Sequence, residues 1–155
     1  MQKLNLPEYE HRMRKYNNVL EIFDPVRCKF VALTPEEWVR QNFVRYLLED
    51  KNTPQKLMRV EASLTLNGMQ RRSDVVVYNR NGLALMAVEC KAATVKITQD
   101  IFDQLTRYNL VLQVSYLVVT NGLQHYCCKV DFTAQSYTFL NEIPDYKQIT
   151  GSLGV

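Results

Sequence analysis

The sequence predicts an α/β (α+β mixed) fold in which a central mixed β-sheet is flanked by helices. Three observations predict it: two segments carry apolar residues at helical spacing, five segments have strand character, and they follow one another in the order α-β-β-β-α-β-β. A single domain of 155 residues, 46% of them hydrophobic, can bury its own core without disulfides, a structural metal or an obligatory partner. No repeat or long linker divides the sequence.

We divide the chain into an N-terminal extension over residues 1–32, a main domain over residues 33–140 and a C-terminal tail over residues 141–155. The extension contains a predicted short hairpin, residues 18–23 and 27–33, around Asp24-Pro25. The residues before this hairpin are charged and aperiodic, so no element is predicted for them.

The clearest helix signal begins at Thr34. Thr34 is expected at the N-cap and Pro35 at the first helical position, while Glu37 closes a capping box. The helix should run to about Asp50. Its apolar face is predicted to comprise Trp38, Val39, Phe43, Tyr46 and Leu47, and its wet side Arg40, Gln41, Arg45 and Glu49.

Three strands are predicted to follow this helix, and two more to follow a second helix. The first three form an antiparallel meander over residues 57–66, 73–79 and 83–91, with a turn at Asn67-Gly68. Thr98 is expected to cap the second helix, residues 99–112. The last two strands span residues 115–120 and 124–130 around a turn at Asn121-Gly122.

Candidate site residues lie on the second and third strands of the meander. Alternation along the third strand places Glu89 and Lys91 on the face opposite to its core residues. A four-residue loop pairs Asn79 with Ala84, and that register puts Asp74 directly opposite Glu89. Two carboxylates this close repel unless a cation lies between them, so removing one charge should relieve repulsion in the metal-free protein. Carboxylate oxygens are the ligands that Mg²⁺ selects, and Lys91 could position an attacking water and stabilise developing charge on a phosphodiester.

These residues also have a purely structural interpretation. Asp74, Glu89 and Lys91 are what the solvated face of an antiparallel sheet carries. The coincidence of an Asp at the mouth of one strand with a Glu-x-Lys on its neighbour favours a functional cluster, because burying an uncompensated charge is costly.

The same residues resemble the signature of the PD-(D/E)xK nucleases. Asp74, fourteen further residues and then Glu89-Cys90-Lys91 match the D…ExK pattern, and the segment 104–108, Gln-Leu-Thr-Arg-Tyr, resembles the QxxxY motif of a subset of these enzymes. Together with residues 34–41, Thr-Pro-Glu-Glu-Trp-Val-Arg-Gln, the arrangement is similar to the N-terminal nuclease domain of the R subunit of type I restriction enzymes. The resemblance covers about residues 33–130.

This resemblance implies a restriction-endonuclease-like core and a Mg²⁺- or Mn²⁺-dependent DNA endonuclease. Asp74 and Glu89 would be metal ligands, and Lys91 would position water. Gln104 and Tyr108 would line the same site from the second helix. A further metal-ligand candidate is Glu37, although the capping box already accounts for it. Three basic residues flank the site and are either phosphate contacts or solvated side chains: Arg71, Arg72 and Lys96.

Two features depart from the family pattern. Ser73 stands where the motif has Pro, a position that shapes the strand entrance and supplies no ligand. The sequence has no GxxxxGK[ST] loop, so we expect no ATP site and a cleavage module without the helicase motor. The implied partners are DNA and a separate specificity or motor subunit, and a homo-oligomer stays open.

Two other functions compete with the nuclease. One is a catalytically inactive nuclease-fold module that binds nucleic acid or a protein partner, although two repelling carboxylates beside a lysine have no purpose there. The other is a small structural subunit whose nine tyrosines contribute to an oligomer interface. Sequence specificity, cleavage pattern, strandedness of the substrate and biological role have no signature in the sequence.

The composition indicates the cellular compartment but does not distinguish between the candidate functions. Nineteen Lys+Arg against sixteen Asp+Glu give a net charge of +3, which permits nucleic acid without demanding it. No run of about 18 apolar residues and no signal-peptide core occur, so we expect a cytoplasmic protein without a membrane partner. Four cysteines without CxxC spacing indicate free, mostly buried thiols in a reducing compartment.

Overall fold

The computed structural model describes residues 1–66 and 68–151, and at residues 64–66, 69, 71, 108 and 110–112 it describes the backbone alone. Asn67, in the predicted Asn67-Gly68 turn, therefore lies outside the described residues. The strands are β1 (Met13–Tyr16), β2 (Val19–Asp24), β3 (Lys29–Ala32), β4 (Met58–Leu66), β5 (Met69–Tyr78), β6 (Ala84–Cys90), β7 (Tyr116–Thr120), β8 (His125–Asp131) and β9 (Ser136–Leu140). The helices are α1 (Pro35–Glu49), α2 (Gln99–Leu112) and α3 (Tyr146–Gly151), with a 3₁₀ turn at Gln55–Leu57.

The first three strands form a small antiparallel sheet in the order β1-β2-β3. The pairing of β2 with β3 confirms the hairpin predicted around Asp24-Pro25. The added strand β1 joins β2 through Asn17 and Asn18, whose φ angles are both positive, 48° and 63°. A two-residue hairpin turn requires such angles, and Asn tolerates them better than most residues.

The main sheet has six strands in the order β4-β5-β6-β7-β8-β9. Only β6 and β7 are parallel, and α2 connects them, while the other neighbours are antiparallel. The predicted mixed sheet and the meander of β4, β5 and β6 are thereby confirmed. The sequence analysis did not assign β9 or α3.

Helices cover both faces of the main sheet. On one face α1 contributes Val39, Phe43, Val44 and Leu47 to a core that includes Val75, Val77, Met86 and Val88. On the other face α2 contributes Phe102 and Leu105 to a second core with Ala87, Leu117 and Val119. No helix in the described part of the chain is long and apolar enough to span a membrane.

The polar side of α1 differs from the prediction. Arg45 is half-buried and Glu49 exposed, but Arg40 and Gln41 are only 6% and 0% exposed. Placing those two on the wet side was wrong, because Arg27 of the N-terminal hairpin and the carboxylates Glu61 and Asp74 of the β4–β5 pair contact this part of the helix. A helical wheel distinguishes apolar from polar residues and cannot show that a polar stripe has polar partners.

Residues 141–151, set apart above as a tail, pack against the main domain. Ile143 and Ile149 are buried in the core on the α1 side. The Tyr146 hydroxyl donates to the carbonyl of Tyr78, 3.1 Å away. Residues 152–155 lie outside the described part of the chain.

Candidate active site

The β5–β6 hairpin has the predicted register at the end that carries the candidate residues. Val75 pairs with Val88 and Val77 with Met86, as the prediction requires. At the loop the prediction was wrong, because Tyr78 rather than Asn79 pairs with Ala84 after a register shift. The pairing ends at Val75 and Val88, one residue before Asp74 and Glu89.

At that end the side chain of Asp74 replaces the backbone ladder. Asp74 Oδ2 accepts a hydrogen bond from the backbone N–H of Cys90 at 2.8 Å, and Oδ1 accepts one from Arg40 Nη2 at 2.7 Å. The carboxylate is 9% exposed. Asp74 is therefore held beside the strand segment Glu89-Cys90-Lys91, and the structure brings these predicted residues together.

Glu89 and Lys91 lie at the carboxyl end of β6, beside the carboxyl end of the parallel strand β7. Lys91 Nζ is 3.4 Å from Glu89 Oε1, and both side chains are partly open to solvent. The backbone N–H of Lys91 donates to the carbonyl of Thr120 at the end of β7, 2.8 Å away. Ligands of open α/β sheets bind at this edge, so the pair faces the place where a substrate can approach.

Cys90, between these two residues, takes the opposite direction and lies in the core on the α1 side. Burial, followed by the negative charge of Asp74, raises the pKa of its thiol well above the ordinary value. The thiol is therefore neutral at physiological pH and serves packing. The four cysteines are free and only Cys28 is exposed, which confirms the expected mostly buried thiols.

Glu37 caps its helix in only one of the two ways predicted. Its backbone N–H donates to Thr34 Oγ1 at 3.0 Å, as in a capping box. Its carboxylate turns inward instead of returning to Thr34 and accepts from Arg27 at 3.0 Å, Arg40 at 2.7 Å and Gln41 at 3.1 Å. The capping box therefore does not account for the buried carboxylate, which faces the same guanidinium as Asp74.

Arg40 is the positive centre of the site, a role that the sequence analysis missed. Its guanidinium contacts four carboxylates, at distances between 2.7 and 3.4 Å: Glu36, Glu37, Glu61 and Asp74. Burial alone would lower the pKa of Arg40, but the hydrogen bond to Asp74 and the surrounding carboxylates outweigh it and raise the pKa above the ordinary value. The side chain is therefore permanently charged.

Glu61 is a second residue that the sequence analysis missed. It lies in β4 between Val60, paired with Val75, and Ala62, paired with Ser73, and is thus level with Asp74. Its φ angle is +58°, which is uncommon for a residue with a side chain. Glu61 Oε1 is 3.0 Å from Arg40. Strained backbone of this kind occurs often at functional sites, but no pattern in the sequence announces it.

Two buried polar atoms beside these carboxylates are unpartnered within the described part of the chain. They are Arg40 Nε and Gln41 Oε1. The other amide atom of Gln41, Nε2, donates to Glu37, so the unpartnered oxygen lies next to the carboxylates. Such atoms mark places where water, an ion or a substrate supplies the missing bond.

Alternating charges connect the N-terminal sheet to the site. Arg27 lies 2.5 Å from Asp24 and 3.0 Å from Glu37. Arg40 in turn lies 2.7 Å from Glu37 and 2.7 Å from Asp74. We call these five residues the charge chain. It fixes the β2–β3 turn, the start of α1 and the end of the β5–β6 hairpin relative to one another.

Of the remaining predicted residues, Arg72 contacts this cluster, Gln104 and Lys96 make no contact with it that the structure describes, and two have side chains outside the description. Gln104 is exposed on α2 and makes no hydrogen bond with the described residues. The side chains of Tyr108 and Arg71 are not among those described. Arg72 is exposed and lies 3.4 Å from Glu61, and Lys96 is exposed after β6.

The carboxylate oxygens of this cluster are of the type that binds a divalent cation, but they already contact the guanidinium of Arg40. Glu37, Glu61 and Asp74 supply hard oxygen donors, the type that Mg²⁺ selects. All three contact the guanidinium of Arg40. Among the described residues, no three His, Cys, Asp or Glu side chains meet closely enough to hold an ion.

A sheet covered by helices, with Asp and Glu-x-Lys meeting at one end of its central hairpin, defines a class of protein: α/β domains with a restriction-endonuclease-like core. The chain belongs to the family described as type I restriction enzyme R protein N terminus, whose model matches residues 35–144. This confirms the resemblance stated from the sequence.

A solved structure shares the fold. It is a fragment described as an HsdR subunit of a type I restriction enzyme from Vibrio vulnificus YJ016, with a TM-score of 0.54 and 19% sequence identity. The alignment covers 79% of this chain and 26% of that one, so the chain spans about a quarter of its length. No curated protein matched the sequence.

Proposed function

We propose that this chain is a Mg²⁺- or Mn²⁺-dependent DNA endonuclease domain that hydrolyses phosphodiester bonds and resembles the nuclease domain of a type I restriction R subunit. One observation carries the proposal: Asp74 is anchored on the Cys90 N–H, between Glu89 and Lys91. Membership of the R protein N-terminal family supports it. DNA is the expected partner, together with a separate specificity or motor subunit.

Each residue has a proposed role that follows from its position. Asp74 and Glu89 would hold the cation, with Glu37 as the additional carboxylate from α1. A bound divalent cation would supply a lowered pKa to its water and charge stabilisation to the phosphate. Lys91 is partly exposed at the strand end, and its ammonium can orient the attacking water and stabilise charge that develops on the phosphate. Gln104 and Tyr108 on α2 would contact the DNA or orient Lys91.

A second candidate is the inactive module that binds without cutting. The observation in its favour is that Arg40 already occupies Asp74 Oδ1. A cation at Asp74 has to compete with this guanidinium, and a protein in which the guanidinium prevails would not cut.

Incubation of the protein with supercoiled plasmid and Mg²⁺ or Mn²⁺ distinguishes the two candidates. Wild type should nick or linearise the plasmid, and Lys91→Ala should abolish cleavage with its thermal melt unchanged, because the ammonium acts mainly on the transition state. Lys129→Ala is the matched control. It removes the same charge from an exposed residue that pairs with Tyr116, at the opposite end of β7 from Lys91.

One result would contradict the nuclease itself, and another would contradict the role of Lys91. Wild type that binds DNA and leaves it intact with either metal would establish the inactive module. Equal cleavage by wild type and Lys91→Ala would remove the lysine from the mechanism.

A further inference from the structure

The N-terminal sheet has one face on the protein and one in solvent. Ile22 and Asp24 are fully buried, so their face of β2 packs inward. The pairings of Arg14 with Glu21 and of Phe23 with Phe30 put these four residues on the opposite face. We call this solvent side the outer face. It comprises Arg12, Arg14, Tyr16, Glu21, Phe23 and Phe30.

The outer face carries arginines stacked on aromatic rings. The guanidinium carbon of Arg14 is 4.1 Å from the centroid of Phe30 and 5.0 Å from that of Tyr16. Arg12 lies over Phe23 and Phe30 at 5.3 and 5.4 Å. Stacking holds a guanidinium in place through its flat side and leaves its N–H edge free to donate.

The outer face carries more positive than negative side chains. Glu21 is its single acid, and it pairs with Arg14 Nε at 2.8 Å. Arg12 makes no ion pair with any carboxylate that the structure describes. Lys15 and Lys29 are also exposed, but they pair with Leu20 and Asp24 and so lie on the opposite face of the sheet. The guanidinium of Arg12 and the Nη groups of Arg14, which have no acidic partner among the described residues, match phosphate groups in charge and in geometry.

Tyr16 adds a surface for stacking. Its side chain is 57% exposed at the end of β1, beside Arg14. Proteins that bind single-stranded nucleic acid combine positive charge that follows the backbone with aromatic rings on which unpaired bases stack. An exposed sheet face with arginines and a tyrosine has both components.

The sheet that carries the outer face is joined to the candidate site through the β2–β3 turn. Phe23 precedes Asp24, the first member of the charge chain, and Arg27 of the same turn contacts Glu37 in α1. A cleft of about 510 Å³, lined by Arg27 and Glu61 among others, separates this turn from β4. The β2–β3 turn is therefore the element that connects the strands of the outer face to the candidate site.

We propose that the outer face binds a single strand of DNA, with its phosphates on Arg12 and Arg14 and an unpaired base on Tyr16. The inference deepens the proposed nuclease function and rests on it for the choice of ligand. The family match begins at residue 35, so this sheet lies outside the matched residues.

The test is fluorescence anisotropy with a short labelled single-stranded oligonucleotide of mixed sequence in EDTA, where no cutting occurs. Arg12→Gln/Arg14→Gln should weaken binding on the order of tenfold and reduce the slope of log K against log salt by roughly 1.4, since each lost phosphate contact removes about 0.7. Tyr16→Ala should weaken binding roughly fivefold or more without changing that slope. A duplex of the same length should bind more weakly, because its bases are not free to stack.

Arg80→Gln/Lys147→Gln is the matched control, because it removes the same charge from exposed residues of the β5–β6 turn and α3. It should bind like wild type. Equal weakening by both double variants would overturn the inference, as general charge would explain the binding. Unchanged binding by Arg12→Gln/Arg14→Gln would also overturn it and assign the face to a protein partner, and equal affinity for duplex and single strand would remove the role of Tyr16.

Failure of this inference is separable from failure of the nuclease proposal. A wild type that cuts plasmid while Arg12→Gln/Arg14→Gln binds and cuts equally well would refute the outer face alone. A wild type that binds the oligonucleotide through these arginines but never cuts would refute the nuclease alone.

Discussion

The guanidinium of Arg40 joins carboxylates from three elements, α1, β4 and β5. A buried ion pair gains little when it forms, because both charges lose water, but removing one partner leaves an uncompensated charge in a place of low polarity. Arg40 therefore determines how each nearby carboxylate responds to substitution.

Asp74→Asn should destabilise the metal-free protein by about 2 kcal/mol, the usual cost of losing a buried hydrogen bond between charged groups. This sign is the reverse of the one expected from repulsion between Asp74 and Glu89, because the carboxylate already has a cationic partner. Urea unfolding in EDTA measures it. The matched control is Glu49→Gln. It breaks the exposed Arg45–Glu49 pair of α1, the helix that carries Arg40, and should change the free energy of unfolding by less than about 1 kcal/mol.

The same variants test the metal site. Mn²⁺ should raise the melting temperature of wild type and of Glu49→Gln, since a ligand of the folded state stabilises it by mass action, and should have no effect on Asp74→Asn. An Asp74→Asn protein as stable as wild type in EDTA would contradict the pairing with Arg40. Equal Mn²⁺ shifts in all three proteins would place the metal elsewhere.

At the scale of residues, the sequence predicted the site residues of the β5–β6 hairpin better than those of α1. Asp74, Glu89 and Lys91 follow from strand alternation and register, which are local rules, and the structure brings them together. Arg40 was assigned to water because its burial depends on partners far away in the chain, such as Asp74. Glu61 was not found because its role depends on a local backbone distortion.

At the scale of elements, α1 positions two members of the charge chain. Thr34 Oγ1 accepts from the N–H of Glu37 and so fixes the first turn, from which the carboxylate reaches Arg40 one turn later. Thr98 stands at the same position of α2 but makes no such bond within the described part of the chain. A threonine therefore stands at the N-cap of both helices, but within the described part of the chain only the side chain of Thr34 accepts a capping hydrogen bond.

Thr34→Ala should lower the free energy of unfolding by about 1 kcal/mol, the typical contribution of a Thr cap. Thr98→Ala should lower it by only a few tenths, because no side-chain bond is lost. Chemical denaturation of both variants measures the difference. Equal losses would show that Thr34 contributes through something other than its cap.

The order of helices and strands from β2 to β8 was predictable because each element has a local signal, either a cap or an alternation, whereas β1 lies in residues without a period and was not assigned. The edge strand β9 was not assigned, since most of its residues are exposed and no buried face gives it a period. α3 has only six residues and is stabilised by packing of Ile149 rather than by helical propensity.

At the scale of the molecule, the first eleven residues lie across α1 and the β7–β8 turn. The carbonyl of Gln2 accepts from Trp38, and the N–H of Asn5 donates to Gly122, both at 2.8 Å. Gly122 has a φ of +85°, and a Cβ there would lie 2.7 Å from Leu4. The sequence showed no period in these residues, because tertiary contacts and not a regular element hold them in place.

We expect the docking of this segment to depend on pH through His11. Its ring lies 5.2 Å from that of Trp38, and its Nε2 is hydrogen-bonded to Asn42 Oδ1 at 3.1 Å. Burial lowers the pKa of His11, and the charge of Arg45 acts in the same direction, while Asn42 and Glu49 oppose it. The folded protein therefore binds a proton at His11 less readily than the unfolded chain does.

The sign of the effect follows from this difference. The contribution of His11 to stability is complete above the unfolded pKa of about 6.5 and is lost as the pH falls toward the lower folded value. His11→Gln keeps a donor for Asn42 but does not titrate, so its free energy of unfolding should fall less than that of wild type between about pH 7.5 and about pH 5.5. Urea unfolding of both proteins at the two pH values isolates His11, because every other titrating group is common to them. Equal losses in the two proteins would mean that protonation of His11 is not coupled to folding and that other groups set the acid limit of stability.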